Sequence, residues 1–453
     1  MRFFRSEANY RGRHASSPGW WQMNWELSRL FSLSVAVGPE SALAFHLEPL
    51  DAAGYRTVSG CNTMLCEEKL VGSPSALRKL NDRAALYALL ESGPLSRLDL
   101  EQAIGVSRPA AAELLRRLEE CGLARRAGYG PGGPGPRAQL WTINERAAFA
   151  AGLNVTELGI DAVLADLSGH PLGECKIMVG RGEDPTLTVK KLLSSMARSS
   201  GIRRSDLRQV MVGISGSVDP ETGILNHAEH IPEWTGFDVQ ERLSRVAGMP
   251  VSVENDVKLV LSDELIRGRA VGCKDVLLLW MGAAIGIAMT AGGRLQHGFH
   301  GSAGELGLVP VGSSGRVAGD MLAANGVLEL ARAHGLKETD APRMIEQSRS
   351  RQDADDDRFL SAFAGRIADV LVAPVAVIDP ELILLAGDIG TAGGDELAER
   401  VRHRLHEMLA HRPRVAAGTG YYNSVRQGAL DAALRLLRED IFEDARDHKE
   451  ASA

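Results

Sequence analysis

The spacing of apolar residues divides the chain into segments with different periods. Residues 1–72 show no sustained period, and we expect little stable structure there. Residues 73–148 carry apolar positions three and four residues apart, as on amphipathic helices. Across residues 149–440 short apolar runs alternate with helical stretches, which is typical of an α/β domain. Residues 441–453 lose the pattern and are predicted to be a C-terminal tail.

The second segment predicts three short helices and a β-hairpin. Its first helical repeat stops at Gly93-Pro94, and two shorter stretches follow on either side of Gly105, which suits a left-handed turn. Ser107 is the expected N-cap of the later stretch. An Arg- and Gly/Pro-rich run at 125–137 and the strand-like residues 139–143 predict the hairpin. Together these elements predict a winged helix-turn-helix. The first repeat consists of Leu77, Leu80, Ala84, Tyr87, Ala88 and Leu90.

Charge sets the same segment apart from the rest of the chain. Between Ser73 and Ala150 there are eleven Lys and Arg against eight Asp and Glu, whereas the whole chain has 51 against 58. A local basic excess fits phosphate neutralisation, so double-stranded operator DNA is the expected partner. Such a unit can also be a structural or protein-binding module, but the arginines beside the hairpin tip favour DNA. The candidate DNA contacts are Ser107, Arg108, Ala110, Ala111, Arg116, Arg126 and Arg137.

Two features of the composition bear on the protein's surroundings. The apolar run at 276–293 approaches the length of a membrane span, but its repeated glycines suit a buried hairpin, and we expect no membrane partner. The cysteines lack both paired spacing and the density of a disulfide scaffold, which favours a reducing cytoplasm. They are Cys61, Cys66, Cys121, Cys175 and Cys273.

Polar residues follow several predicted strands of the α/β segment, where such domains bind their ligands. Four stretches resemble the ROK family (repressors, open reading frames and sugar kinases): VGISGSVDPETG at 212–223, VEND at 253–256, HGSAGELG at 300–307 and IDPELILLAG at 378–387. The resemblance covers roughly residues 152–437. It implies an α/β fold of two actin-like, ribonuclease H-like lobes around a cleft. With a winged helix-turn-helix ahead of it, the chain resembles the repressor branch, of which xylose and N-acetylglucosamine regulators are typical.

The resemblance also assigns the residues that would bind a sugar. Asn255 and Asp256 match the family's sugar-binding pair, in which the aspartate is also the base of the kinases, and Glu305 matches the acid of the GE motif. Gly216 belongs to the glycine loop, and Asp320 lies near the next sugar acid. Such groups suit buried hydroxyls, which need hydrogen-bond partners. The alternatives are that the Asn-Asp pair only caps the following helix and that the glutamate is a solvated acid.

The nucleotide side of the predicted cleft departs from the kinases. Their DxGGT appears as NVTEL at 154–158, their GTGxG as GAAIG at 282–286, and their glycine triplet as AGD at 386–388. Glu157 would place negative charge where phosphate should lie, which is repulsive in a confined cleft. We therefore expect neither ATP nor Mg²⁺ as a cofactor and no catalytic residue, although Asp256 occupies the position of the base.

The family's structural zinc site is also missing from the sequence. Leu308 occupies the position of the histidine that ends the family's GEIGH motif. The family's cysteine cluster is replaced by GSSGRVAGD at 312–320. Zinc needs thiolate or imidazole ligands at close spacing, so we expect no bound metal. The lost histidine leaves an apolar wall, so either the effector differs from glucose-type sugars or the pocket is degenerate.

The expected function is a cytoplasmic transcriptional regulator, a repressor, that binds operator DNA as a homodimer or homotetramer under control of a sugar or sugar phosphate. Coupling between the domains is expected through residues 145–150. One alternative is an active ATP-dependent sugar kinase with an appended DNA-binding head, which Asp256 favours. Another is a ligand-independent DNA-binding protein whose large domain only dimerises. The residues that oppose the kinase are Asn154, Glu157, Leu158 and Ala283.

Overall fold

The structure is a computed structural model. It describes residues 74–131, 137–179, 184–228, 231–313, 315–351, 353–420 and 423–444. The predictions made for residues 1–72 and for the last nine residues of the chain lie outside this part.

A small helical unit comes first. Its elements are α1 (Pro74–Ser92), β1 (Leu95–Ser96), α2 (Arg97–Ile104), α3 (Arg108–Glu120), β2 (Ala124–Tyr129) and β3 (Gln139–Ile143). The three strands form an antiparallel sheet in the order β1-β3-β2. Gly105 ends α2 in the left-handed conformation, with φ of 68°, and so turns the chain directly into α3.

The buried face of α1 differs from the predicted one. Ala85, Leu86 and Leu89 are buried, whereas Leu77 and Leu80 remain 61% and 55% exposed. The buried stripe is shifted around the helix because α1 packs on two sides, against α2 and α3 and against the last helix of the chain. The sequence shows the helical period but not which neighbours will cover the helix.

The two serines that precede α2 and α3 have different local roles. Ser96 forms a reciprocal capping box with Asp99, in which each side chain accepts from the other residue's backbone N–H at 3.2 and 2.9 Å. Ser107 occupies the predicted N-cap position of α3, but its side chain makes no capping hydrogen bond.

Ser96→Ala is therefore expected to lower the free energy of unfolding by about 1 kcal/mol, the usual contribution of an N-cap side chain. Ser107→Ala is the matched control and should change it by only a few tenths of this amount. Urea denaturation of the full chain measures both. Equal losses from the two variants would show that the capping box does not stabilise the unit.

The first lobe is a mixed five-stranded sheet in the order β10-β7-β4-β5-β6. Two helices, α4 and α5, cover one face through a shared apolar cluster. The bounds of these elements and of the small hairpin β8–β9 are β4 (Phe149–Thr156), β5 (Gly159–Asp166), β6 (Pro171–Ile177), α4 (Pro185–Ser199), β7 (Leu207–Ile214), β8 (Ser217–Val218), β9 (Leu225–Asn226), α5 (Val239–Ala247) and β10 (Val251–Asn255).

The second lobe is another five-stranded sheet, in the order β13-β12-β11-β14-β15, with α8 to α11 packed against it. The apolar run at 276–293 forms the antiparallel pair β11–β12, as the hairpin prediction required. The bounds are β11 (Val276–Met281), β12 (Ile285–Ala291), β13 (Arg294–Leu295), α7 (Ala318–Leu322), α8 (Ala324–Ala333), α9 (Ala341–Arg351), α10 (Ala354–Ile378), β14 (Leu382–Ala386), α11 (Gly387–Met408) and β15 (Arg414–Ala417).

One helix among the described residues, α10, is long and apolar enough to cross a membrane. Its side chains Phe359, Phe363 and Ile367 lie in the core of the second lobe. The two phenylalanine rings stack with centroids 6.3 Å apart. These contacts are those of a core helix.

Two helices connect the lobes. They are α6 (Asp256–Arg267) and α12 (Ser424–Asp444). The apolar face of α6 packs on the second sheet, while α12 packs on α6, on the first sheet and on α1. At the α1 end, the Tyr87 and Phe442 rings meet edge to face at 5.2 Å. The residues after 440 therefore continue α12 to Asp444 and do not start a tail there. The α/β class with two sheet-based lobes is confirmed.

Candidate functional site

The candidate site lies at the carboxyl ends of β7 and β10. These strands are parallel neighbours, with Ile214 opposite Asn255, so the loop after β7 and the start of α6 meet at one edge of the sheet. Two cavities open there, of about 180 and 860 Å³. We call them the small and the large cavity. They share His227, Ala284, Ile285 and Glu305 in their walls.

The structure brings four of the five predicted sugar-binding residues to the small cavity: Gly216, Asn255, Asp256 and Glu305. Gly216 has φ of 106°, and an added Cβ would lie 2.5 Å from the Asn226 carbonyl oxygen, so this position requires glycine. The fifth residue, Asp320, is exposed on α7 and lines the large cavity instead. The sequence places these groups in one region without resolving two cavities.

Asn255 has both of the roles that the sequence left open. It is the N-cap of α6, because its Oδ1 accepts from the Lys258 backbone N–H at 3.1 Å, and its Nδ2 donates to the Gly216 carbonyl at 2.9 Å. The side chain also borders the small cavity. Because both ends of the amide are engaged, Asn255 holds the glycine loop against α6. Asp256 follows as the first residue of α6 and presents a carboxylate to the same cavity.

Glu305 stands at the wall between the two cavities. Its position depends on Gly304, whose φ is 115° and whose added Cβ would lie 2.1 Å from the Ile287 carbonyl oxygen. The backbone before Glu305 can therefore lie directly against β12, which aims the next residue at the cleft. Asp256 and Glu305 together give the cleft two carboxylates that can accept from hydroxyl groups.

Lys258 is a cleft residue that the sequence reasoning missed. Its side chain is only 3% exposed, lines the small cavity, and donates from Nζ to the Gly301 carbonyl at 2.8 Å. Burial lowers the pKa of Lys258, and the charges of Glu254 and Glu305 offset that shift only in part. A cation in the first turn of a helix interacts unfavourably with the helix dipole. This unfavourable position of Lys258 is the signal in the sequence that could have identified it.

A hydrogen bond between a half-buried glutamate and an exposed histidine lies near Lys258. The Glu254 carboxylate is 2.8 Å from Nε2 of His297, which starts the loop that carries Gly301. Burial alone would raise the pKa of Glu254, but His297 and Lys258 outweigh it, so the pKa lies below its usual value. This pair and the lysine hold the loop at residues 297–304 over the small cavity.

The large cavity differs from the zinc-bearing pattern of the family. Leu308 and Arg316 line it where the resemblance would place metal ligands. The Arg316 guanidinium donates to the Glu329 carboxylate at 2.8 Å and to the Asp320 carbonyl at 2.9 Å. Within the part of the chain that the structure describes, no three His, Cys, Asp or Glu side chains are grouped to hold a metal ion. The arginine and glutamate join the preceding loop to α8.

The predicted nucleotide side is formed by turns with few free polar groups. Thr156 Oγ1 accepts from the Leu158 N–H at 3.3 Å and donates to the Gly159 carbonyl at 3.2 Å, which closes the β4–β5 turn. Glu157 is exposed on that turn and lines neither cavity, so its charge is solvated and repels a phosphate less than a confined carboxylate would. Ala283 lines the large cavity without a hydroxyl to offer.

The candidate DNA-binding residues are distributed over α3 and the β2–β3 hairpin. Arg108 and Ala110 are exposed at the start of α3, and Arg137 is exposed beside the hairpin tip. The prediction for Ala111 is wrong, because this residue is 0% exposed and faces the core with Leu114 and Leu118. The sequence predicted correctly where α3 begins, but not which of its faces is buried.

Two of the predicted arginines already have acidic partners. Arg116 is paired with Glu113 and Glu120 on its own helix, and these carboxylates raise its pKa further above neutrality. Arg126 lies 2.9 Å from a carboxylate oxygen of Glu119. Arg108 makes no ion pair with any described residue. A phosphate would have to compete with a carboxylate for the first two arginines but not for Arg108.

Comparison with known proteins agrees with the architecture. The model of the ROK family matches residues 157–429. The glucokinase of Halalkalibacterium halodurans is 28% identical over 244 residues, which is 48% of this chain and 72% of that protein. The DNA-binding transcriptional dual regulator NagC of Escherichia coli is 22% identical over 342 residues, 71% of this chain and 84% of NagC. A crystal structure of a ROK family transcriptional regulator, a homologue of the E. coli Mlc protein, has a TM-score of 0.66 at 14% identity and covers 82% of this chain and 98% of its own. That likeness confirms the predicted sugar-kinase-like fold.

Proposed function

Because the chain belongs to the ROK family, we propose that it is a transcriptional repressor that binds operator DNA through residues 73–148 and responds to a sugar or sugar phosphate. One observation carries the proposal: a helix pair with a β-hairpin shares a continuous apolar core with the lobe that bears the candidate sugar cleft. Relatives of both kinds, regulators and kinases, exist in the family. The appended helical unit favours the regulator.

The cleft supports the sugar part of the proposal. Asp256 and Glu305 offer carboxylate oxygens, and the small cavity limits the ligand to about one ring. Buried hydroxyl groups bind where such acceptors are fixed by the fold, because an unpaired hydroxyl costs free energy. Asn255 then acts as a positioning residue, since its amide is engaged within the protein.

An active sugar kinase is the second candidate, and the matching glucokinase and the carboxylate of Asp256 favour it. Phosphoryl transfer, however, is mostly positioning of phosphates and metal, and the turn at 156–158 and Ala283 lack the glycines and hydroxyl that would do this. The residues present do not fit a bound nucleotide, and they do not fit a zinc ion. We therefore propose no catalytic residue and no cofactor.

Binding in the cleft would reach the DNA-binding unit through α12. Arg267 of α6 is paired with Asp431 of α12, and the far end of α12 packs on α1. A second route, the expected one through residues 145–150, includes the Arg125–Glu145 ion pair at 3.0 Å. A ligand shifts the DNA equilibrium only by its differential affinity for the two arrangements. The protein would act in the cytoplasm as a dimer or tetramer on a symmetric operator.

The DNA-binding part is tested by selecting fragments of the source genome on the purified full-length protein and comparing variants on the selected site. Arg108→Ala is expected to weaken binding about 5- to 150-fold, the loss of one good base contact of about 1–3 kcal/mol. Arg332→Ala removes the same charge from an exposed position on α8 and should change nothing. Failure to retain any fragment, or equal losses from both variants, would contradict DNA binding through α3.

A further inference from the structure

Lys258 is a buried cation whose charge is not neutralised by a close carboxylate. Arg426, another buried cation, is paired with Asp161 at 2.7 Å and Glu174 at 3.1 Å. Among the described residues, no carboxylate oxygen lies within 4.0 Å of the Lys258 ammonium, although Glu254 and Glu305 are near enough to attract it. Burial without a close partner is costly for an ammonium group.

The ammonium group also has unused hydrogen-bond donors beside a cavity. It carries three N–H groups, of which one donates to the Gly301 carbonyl. In the described part of the protein the other two have no acceptor, and both Lys258 and Gly301 line the small cavity. Buried donors are nearly always satisfied, so these two N–H groups are available to acceptors that enter the small cavity.

We propose that Lys258 determines the class of ligand and that the cleft takes a monosaccharide bearing a carboxylate, a hexuronic or hexonic acid, rather than a neutral sugar. The inference rests on the proposed sugar site and narrows its ligand. The carboxylate would accept charge-assisted hydrogen bonds from the Lys258 ammonium, while Asp256 and Glu305 accept from the hydroxyl groups.

The charges of the small cavity favour a carboxylate over a phosphate. Asp256 and Glu305 already bring two negative charges to the cavity that Lys258 lines. A phosphate ester adds about −1.5 to −2 at neutral pH and would be repelled more strongly than a carboxylate, which adds only one charge. The volume of about 180 Å³ is also below the roughly 300 Å³ at which pockets for larger ligands begin, which suits one sugar ring.

The test is a calorimetric titration of the full-length protein with matched ligands: glucose, glucuronate, gluconate and glucose 6-phosphate, and galactose with galacturonate. The wild type is expected to bind at least one acid about tenfold or more tightly than its neutral counterpart. Lys258→Met and Lys258→Gln should reduce that ratio to about one. Glutamine keeps a polar N–H-bearing side chain at this position without the charge, so it separates loss of charge from loss of all polarity. Lys190→Met, which removes an exposed charge on α4, should keep the ratio.

Each other outcome has a defined meaning. A neutral sugar bound as tightly as its acid, or a ratio that persists in both Lys258 variants, would overturn the assignment and leave the sugar-responsive regulator intact. Lys258-dependent preference for glucose 6-phosphate would overturn the choice of a carboxylate. If no sugar of any kind binds the wild type, the proposed function itself fails, and this inference fails with it.

Discussion

Asp256→Asn is expected to weaken binding of the effector sugar about a hundredfold and to leave the fold intact. Asp256 is one of the two acids that line the small cavity, and its replacement removes the charge and one acceptor oxygen from a half-buried position. Hydrogen bonds to charged groups contribute about 1.5–3 kcal/mol, and a hundredfold loss corresponds to about 2.7 kcal/mol. Asn255 would be a poorer choice for this test, because its amide also caps α6.

The measurement is the dissociation constant of the bound sugar for the full-length variant, with thermal unfolding as the check on folding. Asp369→Asn is the matched control, because it makes the same chemical change on the exposed side of α10. Its affinity should equal that of the wild type. Unchanged affinity in Asp256→Asn would place the sugar elsewhere on the molecule.

Gly428→Ala is expected to lower the free energy of unfolding by about 3 kcal/mol, at the upper end of the cost of overpacking. An added Cβ on Gly428 would lie 2.1 Å from the Leu259 carbonyl oxygen, where α12 crosses α6. The atom it meets belongs to the backbone, so relief requires the two helices to separate. Those helices join the two lobes, and in the proposed function they would transmit the effect of sugar binding to α1.

Gly365→Ala provides the control, since Gly365 also lies within a helix but has no atom within 4 Å of an added Cβ. It should raise stability by up to about 1 kcal/mol, because alanine is the better helix former. Urea denaturation of the full chain followed by tryptophan fluorescence measures both. A Gly428→Ala variant as stable as the wild type would show that the crossing is less close than described.

The predictions that succeeded depend on local patterns. Gly105 turns the chain between two helices, and the run at 276–293 forms a buried hairpin, because glycine position and apolar spacing decide these features locally. The residues Asn255 and Asp256 reached the cavity because the ends of parallel strands meet at one sheet edge. Periodicity therefore predicted the α/β class, whereas the two lobes and the residues of the site were implied by the resemblance to the ROK family.

The features that the sequence did not predict depend on the rotation of helices and on partners that are distant in sequence. Ala111 is buried because α3 is turned by the neighbours that cover it, and one position separates a core residue from an exposed one. Asp320 lines the other cavity, since a short helix sets its direction. Lys258 was missed because its role depends on Gly301 and Glu305, which are more than 40 residues away in sequence.

A sugar-responsive regulator changes its affinity for operator DNA when the sugar binds, whereas a kinase phosphorylates the sugar. The measurement that separates them is the affinity of the full-length chain for its selected operator across a titration with the bound sugar, repeated with ATP and Mg²⁺. We predict that the sugar alone changes operator affinity about 5- to 150-fold, the range of typical coupling, and that ATP adds nothing. Operator affinity that ignores the sugar, together with ATP-dependent phosphorylation of that sugar, would contradict the account.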